Sequence, residues 1–168
     1  MGLFGKKKSL YERIGGQEAV VQVHRIFYGK IFGHPWISKY FSKVDRDFIE
    51  GQQTAFMTGL MGGPKAFKGK PPHLAHSHIF ATPELFELRQ HLLRLSLNQA
   101  GVSRSIAMEW LALDSSFSSH VVKTDQAQCL PKENIGILSF SNPMSDPAEL
   151  AGKPLMEILK PQGVRPSF

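Results

Sequence analysis

The amino-acid sequence predicts an all-α domain over residues 10–124, between a basic tail (residues 1–9) and a C-terminal extension (residues 125–168). Apolar residues in the domain recur at the spacing of an amphipathic helix. No stretch sustains the period-two alternation of a half-buried strand. Glycine and proline clusters cut the pattern into helix-sized pieces.

The opening "MGLFGKKKSLY" joins a short apolar patch to Lys6, Lys7 and Lys8. Gly2 stands where N-myristoylation would occur, although Lys6 replaces the Ser or Thr that signal prefers. Leu3, Phe4 and the lysines suit at most a weak, peripheral contact with an anionic membrane. Gly15-Gly16 then precedes a first helical stripe of Val20, His24, Phe27, Tyr28 and Ile31. A second stripe runs through Ile49, Gln53, Phe56, Met57 and Leu60, closed by Gly62, Gly63 and Pro64. The segment "PKAFKGKPP" is too rich in proline and glycine for a regular helix, so only a short helix fits between Pro72 and Thr82. Thr82-Pro83 is an N-cap followed by proline at the first helical position, and the third helix runs from there to Ala100-Gly101. A fourth is expected from about Ser105 to Val122. Beyond Thr124 the chain is rich in proline, with short apolar islands at Ile135 to Phe140 and Leu155 to Leu159. These islands suit docking back on the domain, binding a partner, or a loosely ordered extension.

Composition narrows the function. The 168 residues are 42% hydrophobic and 20% charged, ordinary for a globular protein. No apolar run has the length of a membrane span and no segment has the form of a signal peptide, so a cytoplasmic location is the expectation. One cysteine, Cys129, excludes an internal disulfide and any site needing several thiolates. The net charge of +6 is not gathered into a basic stripe interleaved with aromatics, so no nucleic-acid partner is expected.

Three of the seven histidines, His73, His76 and His78, fall within "HLAHSH". A surface accident, a zinc site or a single haem ligand would each give such a cluster. Zinc would need further ligands, and although Glu84 and Glu87 are near, no HExxH-like spacing occurs. Haem needs one proximal histidine and a dry apolar slot. Phe27, Phe41, Phe56, Phe67, Phe80 and Phe86 could line one, or could form an ordinary core. Tyr28 and Gln53 are polar members of otherwise apolar stripes, so each needs a partner: one another, a backbone carbonyl, or a ligand.

In order along the chain stand "SLYERIGGQEAV", "FYGKIFGHPWISKYFSKVD", "GQQTAFMTGLMGGPKAFKG" and "AHSHIFATPELF". Together, over about residues 9–122, they resemble the truncated haemoglobins, and most of all their group I. The resemblance implies a truncated globin fold, a two-over-two helical sandwich around haem b (iron protoporphyrin IX). It implies His76 as the iron ligand, with His73 near a propionate or solvent and His78 a bystander. Phe41 would pack on the haem face, with Ile49, Phe56, Met57, Phe67, Leu74 and Phe86 lining the cofactor. Tyr28 and Gln53 would form the distal pair that bonds a diatomic ligand. Met57 stands where the family often carries a gating aromatic. Arg89 falls where an apolar or aromatic residue nears the pocket, so either the register slips by one or the guanidinium turns outward to a propionate. His120 lies within about a residue of the place where some members bond a haem vinyl; an exposed helix-end histidine is the alternative.

The implied function is binding of O2, nitric oxide or carbon monoxide. Nitric oxide dioxygenation is the implied turnover, and an external reductase is required because nothing in the chain resembles a flavin or nicotinamide site. The alternative is a haem-based gas sensor or interaction module that signals through its terminal extensions.

Overall fold

A computed structural model describes residues 7–144, and within them the chain is helical. The start of the apolar-basic patch (residues 1–6) and the island Leu155 to Leu159 lie outside the described residues. Seven helices follow in order: α1 Leu10–Ile14, α2 Gln17–Gly33, α3 Arg46–Leu60, α4 Pro72–Ala75, α5 Pro83–Gln99, α6 Arg104–Ser115 and α7 Ser118–Val121. A 3-10 turn, Ile37–Phe41, links α2 to α3. Among the described residues the only β-type pairing is in isolated bridges. α2 packs on α3 and on α5, and α5 packs on α6, giving two helix pairs in two layers.

Helix α1 is short but doubly capped. The Glu12 amide donates to the Ser9 hydroxyl at 3.2 Å and the Ser9 amide to the Glu12 carboxylate at 2.7 Å. Gly15, at φ +108°, ends it in the left-handed conformation that glycine adopts without strain. Tyr11 ties α1 to the end of α3 through its amide on the Met61 carbonyl at 3.0 Å. A Cβ at Gly63 would stand 2.8 Å from the Tyr11 ring, so that approach requires glycine.

Helix α2 buries the whole expected stripe: Val20, His24, Phe27, Tyr28 and Ile31, together with Val23. In α3 the buried line is Thr54, Met57 and Thr58, whereas Leu60 is 39% exposed and Ile49, Gln53 and Phe56 are half-buried. The expected α3 stripe is therefore rotated. Thr54 is drawn inward by His24, whose Nδ1 lies 2.8 Å from the threonine hydroxyl, and Thr58 bonds Gln17 at 3.4 Å.

Helix α5 begins where Thr82-Pro83 dictates, with the Thr82 hydroxyl accepting the Leu85 amide at 3.2 Å. The expected fourth helix is broken at Ser116 and Phe117 into α6 and α7. Ser115 and Ser116 return their hydroxyls to the carbonyls of Ala112 and Leu113, and this local competition ends the helix. Phe117 turns to Phe56, ring centroids 5.4 Å apart.

Residues 125–144 run back over the loop between α4 and α5. Leu138 pairs with that loop in both directions, the Phe80 amide donating to Leu138 and the Leu138 amide to the His78 carbonyl, each at 2.9 Å. Cys129, in the same segment, is buried and unpaired.

Candidate functional site

Tyr28, on the inner face of α2, has a ring only 4% exposed, wedged edge-on between Phe27 at 5.2 Å and Phe41 at 6.2 Å. Its hydroxyl bonds no described residue. Among the described residues only the Trp110 indole N–H is sealed away without a partner, so the Tyr28 hydroxyl still reaches accessible space. Burial, with Asp114 and Glu50 adding to it, raises the Tyr28 pKa above the ordinary phenol range, so the proton stays on. Gln53 is half-buried and its amide likewise bonds no described residue. Tyr28 and Gln53 are thus each available to a third party, and they do not satisfy one another.

His76 caps the one-turn helix α4, which Pro72 starts at a position where a missing N–H costs nothing. Its ring is half-buried and its Nδ1 lies 2.8 Å from the Pro72 carbonyl. A carbonyl can only accept, so Nδ1 carries the proton and Nε2 the free lone pair. Nε2 bonds no described residue and is not sealed off. Desolvation, assisted by Arg89, Lys123 and His78, holds the His76 pKa below the usual histidine value although the Pro72 bond opposes this. The imidazole is therefore neutral and ligand-competent near pH 7.

The neighbouring histidines do not converge on it. His73 is exposed on α4 and His78 is buried beyond it. Among the described residues no three His, Cys, Asp or Glu side chains could share a metal ion. The donor set suits a group that asks for one histidine, which zinc does not and haem does.

Aromatic side chains make the walls. Phe56 stacks edge-on against Phe67 at 5.1 Å and against Phe117, whose ring is 6.0 Å from that of His120. His120 itself is exposed, beside the Ser119 hydroxyl. Phe41 and Ile49 are half-buried against the core, whereas Met57 is fully inside it. Leu74 is 50% exposed on α4. Phe86 lines a recess of about 370 Å³ between the start of α5 and α7, with Pro83, Glu87 and Val122.

Arg89 corrects the expectation of a guanidinium turned outward to a propionate. Its guanidinium turns inward, chelates Asp114 of α6 and lies over the Phe27 ring with its carbon 5.3 Å from the centroid. Sequence reasoning also missed His24 as Thr54's partner, and Lys123, whose ammonium bonds the carbonyls of His76 and Ile79 in the loop and of Val121 at the end of α7. The buried stripe position of His24 was the one available signal for the first. Lys123 had none.

Residues 9–121 match the bacterial-like globin family. Over 104 residues the chain is 31% identical to the group 1 truncated hemoglobin of Tetrahymena pyriformis, covering 62% of this chain and 86% of that protein. It is a group 1 truncated haemoglobin. The crystal structure of that Tetrahymena protein in its Fe(III) form superposes with a TM-score of 0.64 at 26% identity, covering 68% of this chain and 98% of that one. The 2/2 hemoglobin of a Synechococcus species, solved in the cyanomet state with covalently attached heme, gives 0.61 at 28% identity over 67% and 94%. As a member of a family of haem globins that bind diatomic ligands, this truncated haemoglobin has the residues to fit its cofactor. They are one neutral histidine with a free Nε2, an aromatic wall and a protonated, unpartnered phenol.

Proposed function

We propose that this truncated haemoglobin would hold haem b through His76, would present Tyr28 and Gln53 to a diatomic ligand, and acts as a nitric oxide dioxygenase. The observation that carries the reading is the His76–Pro72 contact at 2.8 Å, which leaves the Nε2 lone pair free and would let His76 hold the iron. Haem supplies a site for a diatomic ligand and the one-electron chemistry by which nitric oxide, O2 and one electron give nitrate, an external reductase returning the electron.

The chain's own residues do the rest. The Pro72 carbonyl orients the imidazole and makes it more basic. Tyr28 donates its phenolic proton to a ligand that gains negative charge, and burial keeps that proton in place. Gln53, one α3 position before the buried Thr54, would offer its amide to the same ligand. Phe41, Phe56 and Phe67, with Ile49, Phe86, Leu74 and His120, would supply the largely apolar surroundings that keep water from the cofactor. Further crystal forms of the Tetrahymena protein carry substitutions of one tyrosine and two glutamines. The distance in sequence from that tyrosine to the second glutamine equals that from Tyr28 to Gln53, and the first glutamine's place falls on Ile49.

Two measurements test this. Haem-reconstituted protein should show a Soret band with distinct ferric, ferrous and carbon-monoxide forms. The ferrous oxygenated protein should consume nitric oxide stoichiometrically, yielding nitrate, and turn over when a reductase is supplied. A Soret band without nitric oxide consumption would leave a gas-binding globin and end the dioxygenase reading. One observation favours the sensor alternative: the chain beyond the globin match lies on the loop that bears His76.

A further inference from the structure

The stretch after α7 is bonded to the His76 loop more densely than a passing tail requires. Val122 and Ala81 form a parallel bridge, and the Lys123 amide donates to the Ala81 carbonyl at 2.9 Å. The Lys123 ammonium then reaches back to the carbonyls of His76 and Ile79, both at 2.9 Å, and of Val121 at 3.4 Å. Further on, the Leu130 amide donates to Ser77, and Leu138 pairs with His78 and Phe80. The far end is anchored on the 3-10 turn that carries Phe41. The Trp36 indole donates to the Phe140 carbonyl at 2.8 Å, and the Tyr40 hydroxyl accepts the Phe140 amide at 3.0 Å while donating to its carbonyl at 3.2 Å. The Tyr40 and Phe140 rings meet edge to face at 4.9 Å.

We infer that residues 122–140 form a strap that positions His76, with Lys123 as its principal positioning residue and Trp36 and Tyr40 as its anchor. This rests on reading His76 as the iron ligand. Charged donors make the stronger hydrogen bonds, and this one holds the carbonyl of the ligating residue itself. Locally that carbonyl has only the turn bond from the Ile79 amide at 3.0 Å, and Lys123 adds a charged donor from outside the loop. The strap likewise bonds the carbonyls of Ser77, His78, Ile79 and Ala81, which lie beyond the end of α4. Because its other end grips the turn bearing Phe41, it ties the loop of His76 to that turn. All of it lies beyond residue 121, where the family match ends.

The test uses the full-length haem protein. Lys123→Met should shift the iron–histidine stretching band of the ferrous, ligand-free form and speed haem transfer to excess apomyoglobin by about tenfold or more. Lys123→Arg, which keeps a charged donor, should restore both. Trp36→Phe with Tyr40→Phe should move both readouts in the same direction without touching the loop. Wild-type band and haem-loss rate in Lys123→Met and in the anchor variant would overturn the strap. His76→Gly separates this from the ligand assignment: loss of the band supports the assignment. Should the band persist, amide exchange in the haem-free chain decides. There, protection at Phe80 and Leu138 should fall by about tenfold in Lys123→Met, and unchanged protection would overturn the inference.

Discussion

Arg89 and Asp114 form a two-pronged ion pair between α5 and α6, one guanidinium nitrogen 3.0 Å from the carboxylate, with Asp114 buried. The Gln90 amide donates to the same carboxylate. Burial opposes the charge on Arg89, but Asp114 outweighs it and holds the guanidinium pKa above its ordinary value. Breaking such a pair leaves a buried charge, whereas replacing both partners leaves packing.

Arg89→Met should therefore cost about 3 kcal/mol, the low end for a buried pair because 25% of the Arg89 side chain is still exposed. Arg89→Met with Asp114→Leu should recover most of the loss. Urea unfolding of the four proteins closes the cycle. A single variant within about 0.5 kcal/mol of the parent would mean that the pair is solvated.

Stability should fall with acid through His24. It is fully buried, and desolvation, with Arg89 adding to it, drops its pKa from 6.5 to about 3 against the pull of Asp114. The unfolded chain therefore takes up the proton first, and the stability present above pH 6.5 is lost progressively as the pH falls toward 3. The slope contributed is at most about 1.4 kcal/mol per pH unit. His34, His76 and His78 also have lowered values and act in the same sense. His24→Gln, which can still bond Thr54, should remove one proton's worth of slope when unfolding free energies are compared between about pH 4 and 6. An unchanged slope would mean that His24 is protonated in the folded protein.

The three clustered histidines should separate cleanly. His76→Gly should lose haem or bind it weakly, with a normal spectrum returning on addition of imidazole. His73→Ala should be indistinguishable from the parent. His78→Ala should lose some stability through the space it leaves, yet keep the parent's absorption spectrum. A normal spectrum from His76→Gly without imidazole places the iron ligand elsewhere.

The distal pair should discriminate between ligands. O2 on ferrous iron gains negative charge and carbon monoxide hardly does, so a donated hydrogen bond favours the first. Such bonds are worth about 1.5 to 3 kcal/mol, so Tyr28→Phe should speed O2 release by roughly tenfold or more and carbon monoxide release much less. Gln53→Leu should act in the same direction more weakly, and the double variant should be non-additive. Stopped-flow displacement of O2 by carbon monoxide measures it. Parental O2 release from Tyr28→Phe would make Tyr28 a core tyrosine and no more.

Features set by local chemistry were legible in the sequence. α2 follows its apolar stripe, and α5 starts at Thr82-Pro83 because cap and proline act within one turn. The loop and short helix before His76 follow from the prolines. Features set by partners far along the chain were not. The rotation of α3 depends on Thr54 meeting His24, and the inward turn of Arg89 on Asp114 in another helix. The break after α6 was local, but a run of serines also fits a solvated helix face, and apolar spacing alone continued through it. The hold of residues 122–140 on the His76 loop runs mainly through backbone groups, which every sequence carries alike.

Cys129, buried at 6% exposure beside the Leu130–Ser77 bond, gives the protein a built-in clock. A thiol reagent cannot reach the sulfur while this segment is seated, so the rate of labelling reports how often it lifts. If reseating is faster than reaction, labelling tracks the equilibrium fraction open; if slower, it tracks the opening rate itself. As the chain's only thiol, it needs no cysteine removed and none introduced before that kinetics can be read.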